Sequence, residues 1–335
     1  MGRESRQMNR AAALGIDVGG TKTLCLLVDS HCEPLQQIKF KTAPEEGRKK
    51  FTKNLLKAVR ELKSKAIEKK LRITGIGVGC AGSVDTRAGR ILVAPNLLCL
   101  EDYPIAQHLR RVIKTKVIMG NDVHLGLHAE HQLGAAKDCT HVLGVFFGTG
   151  VGGAAILNGD VYTGASGLGG QVGNILAQPV GGREAALSHG IVDRIASKAA
   201  IAGEALVMAT KDWAPYLHKK VGTDLSKIGW KTIKRAIKYG DKRIDEMLRA
   251  RMRVVGIALS SIVNFLNPQL VVLGGGLMDE MPKLVLSEVE AGLREQLMPE
   301  ISKEVFVKPA KLHGAAIALG AAHRALNSGR KRNGH

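Results

Sequence analysis

Apolar residues and glycines follow the same order in two separate parts of this chain. In residues 14–28 and in residues 142–162, a strand-like apolar run leads into a glycine-rich turn, and a second apolar run follows. Each segment therefore predicts a β-hairpin. Since the two segments share one pattern, they indicate an internal repeat and a chain built from two related α/β halves.

Strands and helices alternate through the rest of the pattern. Apolar residues recur at helical spacing within residues 46–70, which predicts a long amphipathic helix there. The elements predicted besides the hairpins are strands 36–41, 72–78, 116–119, 270–273 and 304–307, helices 46–70, 104–113, 122–135, 277–297 and 313–326, and a mainly helical insertion over 184–266.

This order of elements predicts two α/β domains, with no proline- or serine-rich linker between them. The N-terminal domain covers 14–120 and is completed by the C-terminal helix at about 313–327. The C-terminal domain covers 121–312 and contains the helical insertion. Basic tails flank the domains at 1–13, which we expect to be disordered, and at 328–335.

Three glycine-rich turns, at 17–22, 148–153 and 274–276, each follow a predicted strand. Glycine lets backbone N–H groups approach a ligand with no Cβ in the way, so such turns can cradle phosphate. One glycine turn alone is as often a plain tight turn as a binding site. Three of them in one chain favour a nucleotide site in a kinase or an ATPase.

Two segments also have the Gly-x-Gly-x-x-Gly spacing of dinucleotide-binding proteins, at 77–82 and 148–153. Neither opens a helix, because residues 83–89 have a loop-like composition and residues 154–157 lead into a second turn. Without the helix whose N-terminus would hold a pyrophosphate, the context argues against a Rossmann site. The Gly-x₄-Gly-Lys-Ser/Thr phosphate motif is also missing from the sequence.

Composition indicates a cytoplasmic enzyme. A chain of 335 residues, of which 45% are hydrophobic, can fill two cores. Residues 1–10 lack the apolar core of a signal peptide, and the longest apolar stretch, 254–273, is interrupted by Asn267 and Pro268. The five cysteines have no metal-ligand spacing, which indicates a reduced protein.

The formal net charge is +19. Part of the excess lies in the tails, and much of the rest lies on predicted helices where charged and apolar residues alternate, so we interpret most of it as solvated helix faces. The alternative is a surface for a polyanion such as nucleic acid, acidic lipid or polyphosphate. Because only 4% of the residues are aromatic and no recognition-helix motif accompanies the charge, we expect no specific nucleic acid and no membrane partner.

Four stretches, in family order, resemble the ROK family of sugar kinases within the hexokinase, actin and chaperone-ATPase superfamily. They are 14–22, 75–85 with 94–97, 120–123 into 143–153, and 267–276, and they span about residues 14 to 320. The resemblance implies two ribonuclease-H-like (actin-like ATPase) domains, with ATP and a hexose, glucose first among them, meeting in an interdomain cleft. We also expect Mg²⁺ as a cofactor and a homodimer.

The resemblance assigns the phosphoryl-transfer residues one by one. Asp122 matches the family's general base, which accepts the proton of the attacking hydroxyl; the plain alternative is a helix N-cap. Asp17 matches the aspartate that holds Mg²⁺, usually through water. The implied contacts to ATP are Gly19, Gly20, Thr21, Lys22, Gly148, Thr149, Gly150, Gly274, Gly275 and Gly276.

The sugar-binding side departs from the family pattern. Where the family has Gly-Glu-x-Gly-His, residues 170–174 are Gly-Gln-Val-Gly-Asn, and residues 175–182 replace the cysteine-rich zinc loop without supplying a cysteine. With the imidazole and three thiolates gone, we expect no structural zinc. The implied sugar contacts are Gly82, Asn96, Asn121, Gln171, Asn174 and Glu184.

Several other functions stay open at this point. Polyphosphate could replace ATP, an N-acetylhexosamine could replace glucose, and the uncharged Gln171 and Asn174 would suit a protein that binds sugar without turnover. The family also includes transcriptional repressors with a winged helix-turn-helix ahead of the sugar domain. Only about thirteen residues precede the first hairpin, which we expect to be too few for that module.

Overall fold

The computed structural model describes residues 10–94, 97–177 and 190–328. Its strands are β1 (Arg10–Val18), β2 (Lys22–Asp29), β3 (Pro34–Lys41), β4 (Leu71–Cys80), β5 (Ser83–Asp85), β6 (Arg90–Val93), β7 (Lys116–Asn121), β8 (Val142–Phe147), β9 (Val151–Leu157), β10 (Asp160–Tyr162), β11 (Leu270–Gly274) and β12 (Phe306–Pro309). Its helices are α1 (Gly47–Glu68), α2 (Ile105–Val112), α3 (Asp122–Leu133), α4 (Val192–Ala196), α5 (Lys198–Thr210), α6 (Pro215–Val221), α7 (Trp230–Lys238), α8 (Lys242–Leu266), α9 (Gly276–Glu280), α10 (Pro282–Gln296), α11 (Pro299–Glu304) and α12 (Ala316–Asn327).

The described residues form two compact units. The first contains those up to Gln132 and those from Ala315 onward, and the second contains those within Leu133–Gly314. Each unit holds one five-stranded sheet with helices, so the chain is an α/β protein. In the described parts of the chain, no helix is both long and apolar enough to cross a membrane.

The sheet of the first unit has the strand order β3-β2-β1-β4-β7. Strands β1 and β2 are antiparallel and form the predicted hairpin, whereas β1, β4 and β7 run parallel and end at one edge of the sheet. The loop predicted over 83–89 is instead part of a small hairpin of β5 and β6. The carboxylate of Asp85 closes its turn by accepting hydrogen bonds from the N–H groups of Arg87 and Ala88, both at 2.8 Å.

Helix α12 packs unusually close to this sheet, because glycines face it from the strands. A Cβ added to Gly15 of β1 would lie 1.8 Å from the carbonyl oxygen of Ala318, and one added to Gly77 of β4 would lie 1.9 Å from that of Ala321. Both distances are far below van der Waals contact. The helix backbone therefore rests directly on the strands, and the C-terminal helix completes the first unit.

The boundary between the units follows residue 132 rather than the predicted residue 120. Helix α3, which we expected at the start of the C-terminal domain, belongs almost entirely to the first unit. The physical reason is its contact with α12, since a Cβ on Gly320 would lie 1.9 Å from the carbonyl oxygen of Leu125.

The sheet of the second unit has the order β10-β9-β8-β11-β12. Strands β8, β9 and β10 form the second predicted hairpin segment, and β11 lies parallel to both β8 and β12. The helix predicted over 277–297 is two helices, because Pro282 has no N–H to continue α9 and instead begins α10. The strand predicted over 304–307 begins at Phe306, after the short helix α11.

We expect Gly77→Ala to lower the free energy of unfolding by about 1–3 kcal/mol or more, because the new methyl group must push α12 away from β4. Chemical denaturation monitored by circular dichroism measures the loss. The matched control is Gly203→Ala in α5, where an added Cβ meets no atom within 4 Å. That change removes a flexible residue from a helix and should stabilise the protein by up to about 1 kcal/mol. Equal effects of the two substitutions would contradict the close helix–sheet contact.

Candidate active site

Two carboxylates lie where the parallel strands of the first unit end. Asp17 of β1 is in register with Gly79 of β4, and Gly79 is in register with Gly120 of β7. Asp122 follows Gly120 closely as the first residue of α3. The sheet thus brings together the two acids that the sequence analysis assigned to phosphoryl transfer.

The two acids interact electrostatically. Burial and the charge of Asp122 raise the pKa of Asp17 to about 7, while the ammonium of Lys39 acts in the opposite direction. Burial also raises the pKa of Asp122, against the effect of backbone hydrogen bonds that include one from the N–H of Val123 at 2.9 Å. Two carboxylates held together away from bulk water cost free energy when both are ionised.

A divalent cation at this edge would remove part of that cost. Mg²⁺ is commonly bound through one or two carboxylates together with waters and substrate phosphates, and the raised pKa of Asp17 is consistent with a site that a cation completes. Among the described residues, no cluster of three or more His, Cys, Asp or Glu side chains could hold a metal ion by itself.

The first glycine turn is held in place by Thr42. The hydroxyl of Thr42 donates to the carbonyl oxygen of Gly19 at 2.6 Å, and its N–H donates to the carbonyl oxygen of Thr21 at 3.0 Å. The buried Thr23 hydroxyl lies 3.0 Å from that of Thr42. The end of β3 therefore fixes the turn, while Thr21 and Lys22 are exposed.

Asn121 and Gly82, both predicted sugar contacts, have structural roles beside Asp122. The Oδ1 of Asn121 accepts hydrogen bonds from the N–H of Val123 (2.9 Å) and of the following residue (3.2 Å), so the N-cap of α3 is Asn121. Its Nδ2 donates to the carbonyl oxygen of Gly82 at 3.3 Å. Gly82 has a φ of +95°, and a Cβ there would lie 2.1 Å from the carbonyl oxygen of Val93.

The second and third glycine turns lie side by side in the second unit. Gly274 of β11 is in register with Phe146 of the parallel strand β8, so the turns that follow these strands share one edge of the sheet. Gly275 has a φ of +90°, and a Cβ on it would lie 2.4 Å from the carbonyl oxygen of Phe147. The third turn therefore packs directly on the strand that leads into the second.

Asp193 supports the second turn, and the sequence analysis did not identify it. Its Oδ1 accepts a hydrogen bond of 2.7 Å from the N–H of Val151, and a Cβ on Gly150 would lie 2.7 Å from the same oxygen. The N–H of Lys198 donates to the carbonyl oxygen of Gly148 at 3.3 Å. No local sequence pattern predicts such a contact, because strands β9 and β10 separate Asp193, in α4, from the turn along the chain.

In the second unit, Gln171 precedes a 3₁₀ turn, Val172–Asn174, and Asn174 ends it; both residues are exposed. This turn packs on the strand that follows the second glycine turn, since a Cβ on Gly173 would lie 2.2 Å from the carbonyl oxygen of Val151. Two other predicted sugar contacts, Asn96 and Glu184, lie outside the described residues. Most of the segment that replaces the zinc loop, residues 178–182, also lies outside them.

Paired carboxylates at one sheet edge and braced glycine turns in both units are typical of proteins that handle phosphate groups. Residues 13–327 match the ROK family, and this chain belongs to that family. The sequence resemblance is thereby confirmed.

The relatives include kinases and regulators. The glucokinase of Halalkalibacterium halodurans is 26% identical over 311 residues, covering 92% of this chain and 92% of that protein. The DNA-binding transcriptional dual regulator NagC of Escherichia coli is 27% identical over 319 residues, covering 95% of this chain and 76% of the regulator. A solved ROK family glucokinase from Streptomyces griseus in complex with glucose and AMPPNP has a TM-score of 0.77 at 26% identity, covering 94% of this chain and 99% of that one.

We expect Asp17→Asn to stabilise the ligand-free protein at pH 8 by about 1–3 kcal/mol. Because the pKa of Asp17 in the fold is about 7, ionisation of this carboxyl costs stability as the pH rises through 7, and the cost fades as the pH falls towards 4. The gain should therefore shrink at pH 5. Urea denaturation at both pH values, without Mg²⁺ or nucleotide, measures it.

The control for this comparison is Asp138→Asn, at an exposed position in the second unit where the left-handed backbone (φ 70°) accepts asparagine readily. It should leave the stability nearly unchanged at both pH values. A pH-independent effect of Asp17→Asn, or an equal effect of Asp138→Asn, would show that ionisation of Asp17 does not destabilise the fold.

Proposed function

We propose that this protein transfers the γ-phosphoryl group of ATP to a hydroxyl of a hexose, with glucose as the leading substrate. The single observation that carries the proposal is the convergence of Asp17 and Asp122 at the edge of the first sheet, next to a braced glycine turn. Full-length similarity to glucokinases, one of them solved with glucose and AMPPNP, supports the same class of reaction. The interdomain cleft expected from the family resemblance stays a prediction.

Asp122 acts as the general base. Its carboxylate accepts the proton of the sugar hydroxyl as that oxygen attacks the γ-phosphorus, and the bond to the β–γ bridging oxygen breaks. A raised pKa makes the carboxylate a stronger base than a solvated aspartate. For the same reason, kcat/KM should fall on the acidic side as Asp122 becomes protonated.

The glycine turns and Asp17 bind the phosphoryl donor. Backbone N–H groups suit contacts with phosphate and adenosine. The first unit presents them in the turn at 17–22, and the second unit presents them in the turns at 148–150 and 274–276. Asp17 would hold Mg²⁺, and the ion would supply positive charge that offsets the charge of the phosphates.

The sugar side supports a hydroxyl-rich ligand. Gln171 and Asn174 offer amide donors and acceptors without the charge of the family's glutamate, and they are exposed in the second unit. By resemblance to the family, we assign further sugar contacts to Asn121, Gly82, Asn96 and Glu184. The missing charge is also what favours the second candidate, a ROK protein that binds sugar without turnover. We further propose a homodimer without structural zinc.

A panel of sugars tests the activity: glucose, mannose, N-acetylglucosamine and N-acetylmannosamine, each with ATP and Mg²⁺ in a coupled assay of ADP release. We expect the highest kcat/KM with glucose. A preference for an acetamido sugar would replace glucose by an N-acetylhexosamine as the substrate. If no sugar supports ADP release while calorimetry shows that glucose binds, the protein is a sugar-binding relative and not a kinase.

We expect Asp122→Asn to lower kcat by about 10²–10⁴-fold, because the amide keeps the shape of the side chain but cannot take a proton. Binding of glucose and of AMPPNP, measured by calorimetry, should stay near that of the unaltered protein. Asp138→Asn serves as the control and should retain full kcat. An Asp122→Asn protein with near-normal kcat would exclude this residue as the base.

A further inference from the structure

Three lysines share one face of the first sheet beside the glycine turn at 17–22. Lys22 of β2 is directly opposite Lys41 of β3, and Lys39 lies two residues before Lys41, on the same face. Lys39 is in register with Leu24, which is in register with Asp17, so the lysines are on the face that carries Asp17. All three are exposed.

This arrangement places like charges together without a partner. Directly opposed side chains on antiparallel strands are close neighbours, and like charges at such a pair destabilise a sheet. Within the described parts of the chain, neither a hydrogen bond nor an ion pair joins the ammonium groups of Lys22, Lys39 or Lys41 to another residue. Elsewhere in the first unit, by contrast, Lys50 and Lys65 pair with neighbouring glutamates.

Protection of the sheet edge accounts for two of the three lysines, those on β3. Strand β3 is the edge strand, and lysines on edge strands hinder pairing with another chain. Lys22, however, lies on β2, which is paired on both sides. Edge protection gives no reason for a third cation there, opposite Lys41.

The lysines lie at the end of the sheet that holds the glycine turn. Thr42, the neighbour of Lys41, fixes the turn through its hydrogen bonds to Gly19 (2.6 Å) and Thr21 (3.0 Å). Lys39 lies two strands from Asp17, a distance of about 10 Å between backbones, and its charge still affects the pKa of that carboxyl. The ammonium groups thus border the proposed phosphate turn and its acid.

We propose that Lys22, Lys39 and Lys41 form a phosphate-binding subsite, continuous with the glycine turn at 17–22, that takes the phosphate groups of a linear oligophosphate. The inference rests on the proposed function in treating that turn as a phosphate site. The chain of phosphates can belong to a nucleotide or to inorganic polyphosphate, and both present the same repeated anionic oxygens to the lysines. Flexible ammonium groups suit such a ligand, since they bind phosphate as point charges.

The test compares Lys39→Gln/Lys41→Gln with Lys53→Gln/Lys57→Gln by calorimetric titration of ATP and of tripolyphosphate, each with Mg²⁺. The control removes the same charge from exposed positions on α1. That helix covers the opposite face of the sheet, as shown by the contact between the rings of Phe40 and Phe51 at 6.2 Å. Loss of contacts with two charged groups should raise the Kd of the subsite's ligand by about tenfold or more, and the control should change it less than about twofold.

The two phosphate sources give different results. If the subsite serves the nucleotide, the Kd values of ATP and tripolyphosphate rise together. If it serves inorganic polyphosphate, the Kd of tripolyphosphate rises much more than that of ATP. Unchanged binding of both ligands, or an equal loss in the α1 control, would overturn the proposal, because the lysines would then act only as edge protection or as general charge.

Direct binding keeps this test separate from the proposed function. If no sugar is phosphorylated but Lys39→Gln/Lys41→Gln loses oligophosphate binding, the subsite stands and the kinase assignment fails. If the protein phosphorylates a sugar and Lys39→Gln/Lys41→Gln binds oligophosphate normally, the kinase assignment stands and the subsite proposal fails. Should the double variant aggregate, Lys41→Gln alone leaves Lys39 on the edge strand, and we expect it to raise the Kd by about threefold to tenfold.

Discussion

The close contact between α12 and the first sheet is the constraint on which the candidate site depends. Glycines at positions 15 and 77 let the helix backbone rest on β1 and β4, and Gly320 lets α3 rest on α12 in turn. Helix α3 begins with Asp122, so the helix that carries the proposed base packs against a helix from the far end of the chain. A methyl group added at Gly15 or Gly77 must displace α12, and α12 is the helix on which α3 rests.

Local sequence patterns predicted most of the strands and helices, but not which of the two units each helix belongs to. The two hairpins, the long helix α1, the strand that carries Asp17 and the strand that leads to Asp122 follow from apolar periodicity and glycine turns. The unit boundary differs from the predicted one because α3 is held by contacts with α12, which the spacing of its own apolar residues does not show. The break before Pro282 was a local signal that the sequence analysis overlooked.

The residues that sequence analysis missed at the site are those that brace the glycine turns from a distance. Thr42 holds the first turn by its hydroxyl and its N–H, and Asp193 holds the second by accepting the N–H of Val151. The two halves of the chain thus use different side chains for the same purpose, to give a flexible glycine turn one conformation. A family pattern identifies the turns, but a brace is recognisable only once the strands are paired.

Charge at the end of the first sheet is left unbalanced by the protein itself. The charge of Asp122 raises the pKa of Asp17, and burial raises the pKa of both carboxyls, while Lys22, Lys39 and Lys41 face solvent on the same side of the sheet. A cation alone would relieve the acids and repel the lysines, and an anion alone would do the reverse. A ligand that carries a divalent cation on a chain of phosphates would offer charge of the matching sign to both sets. On electrostatic grounds, such a complex would suit this sheet edge better than either ion separately.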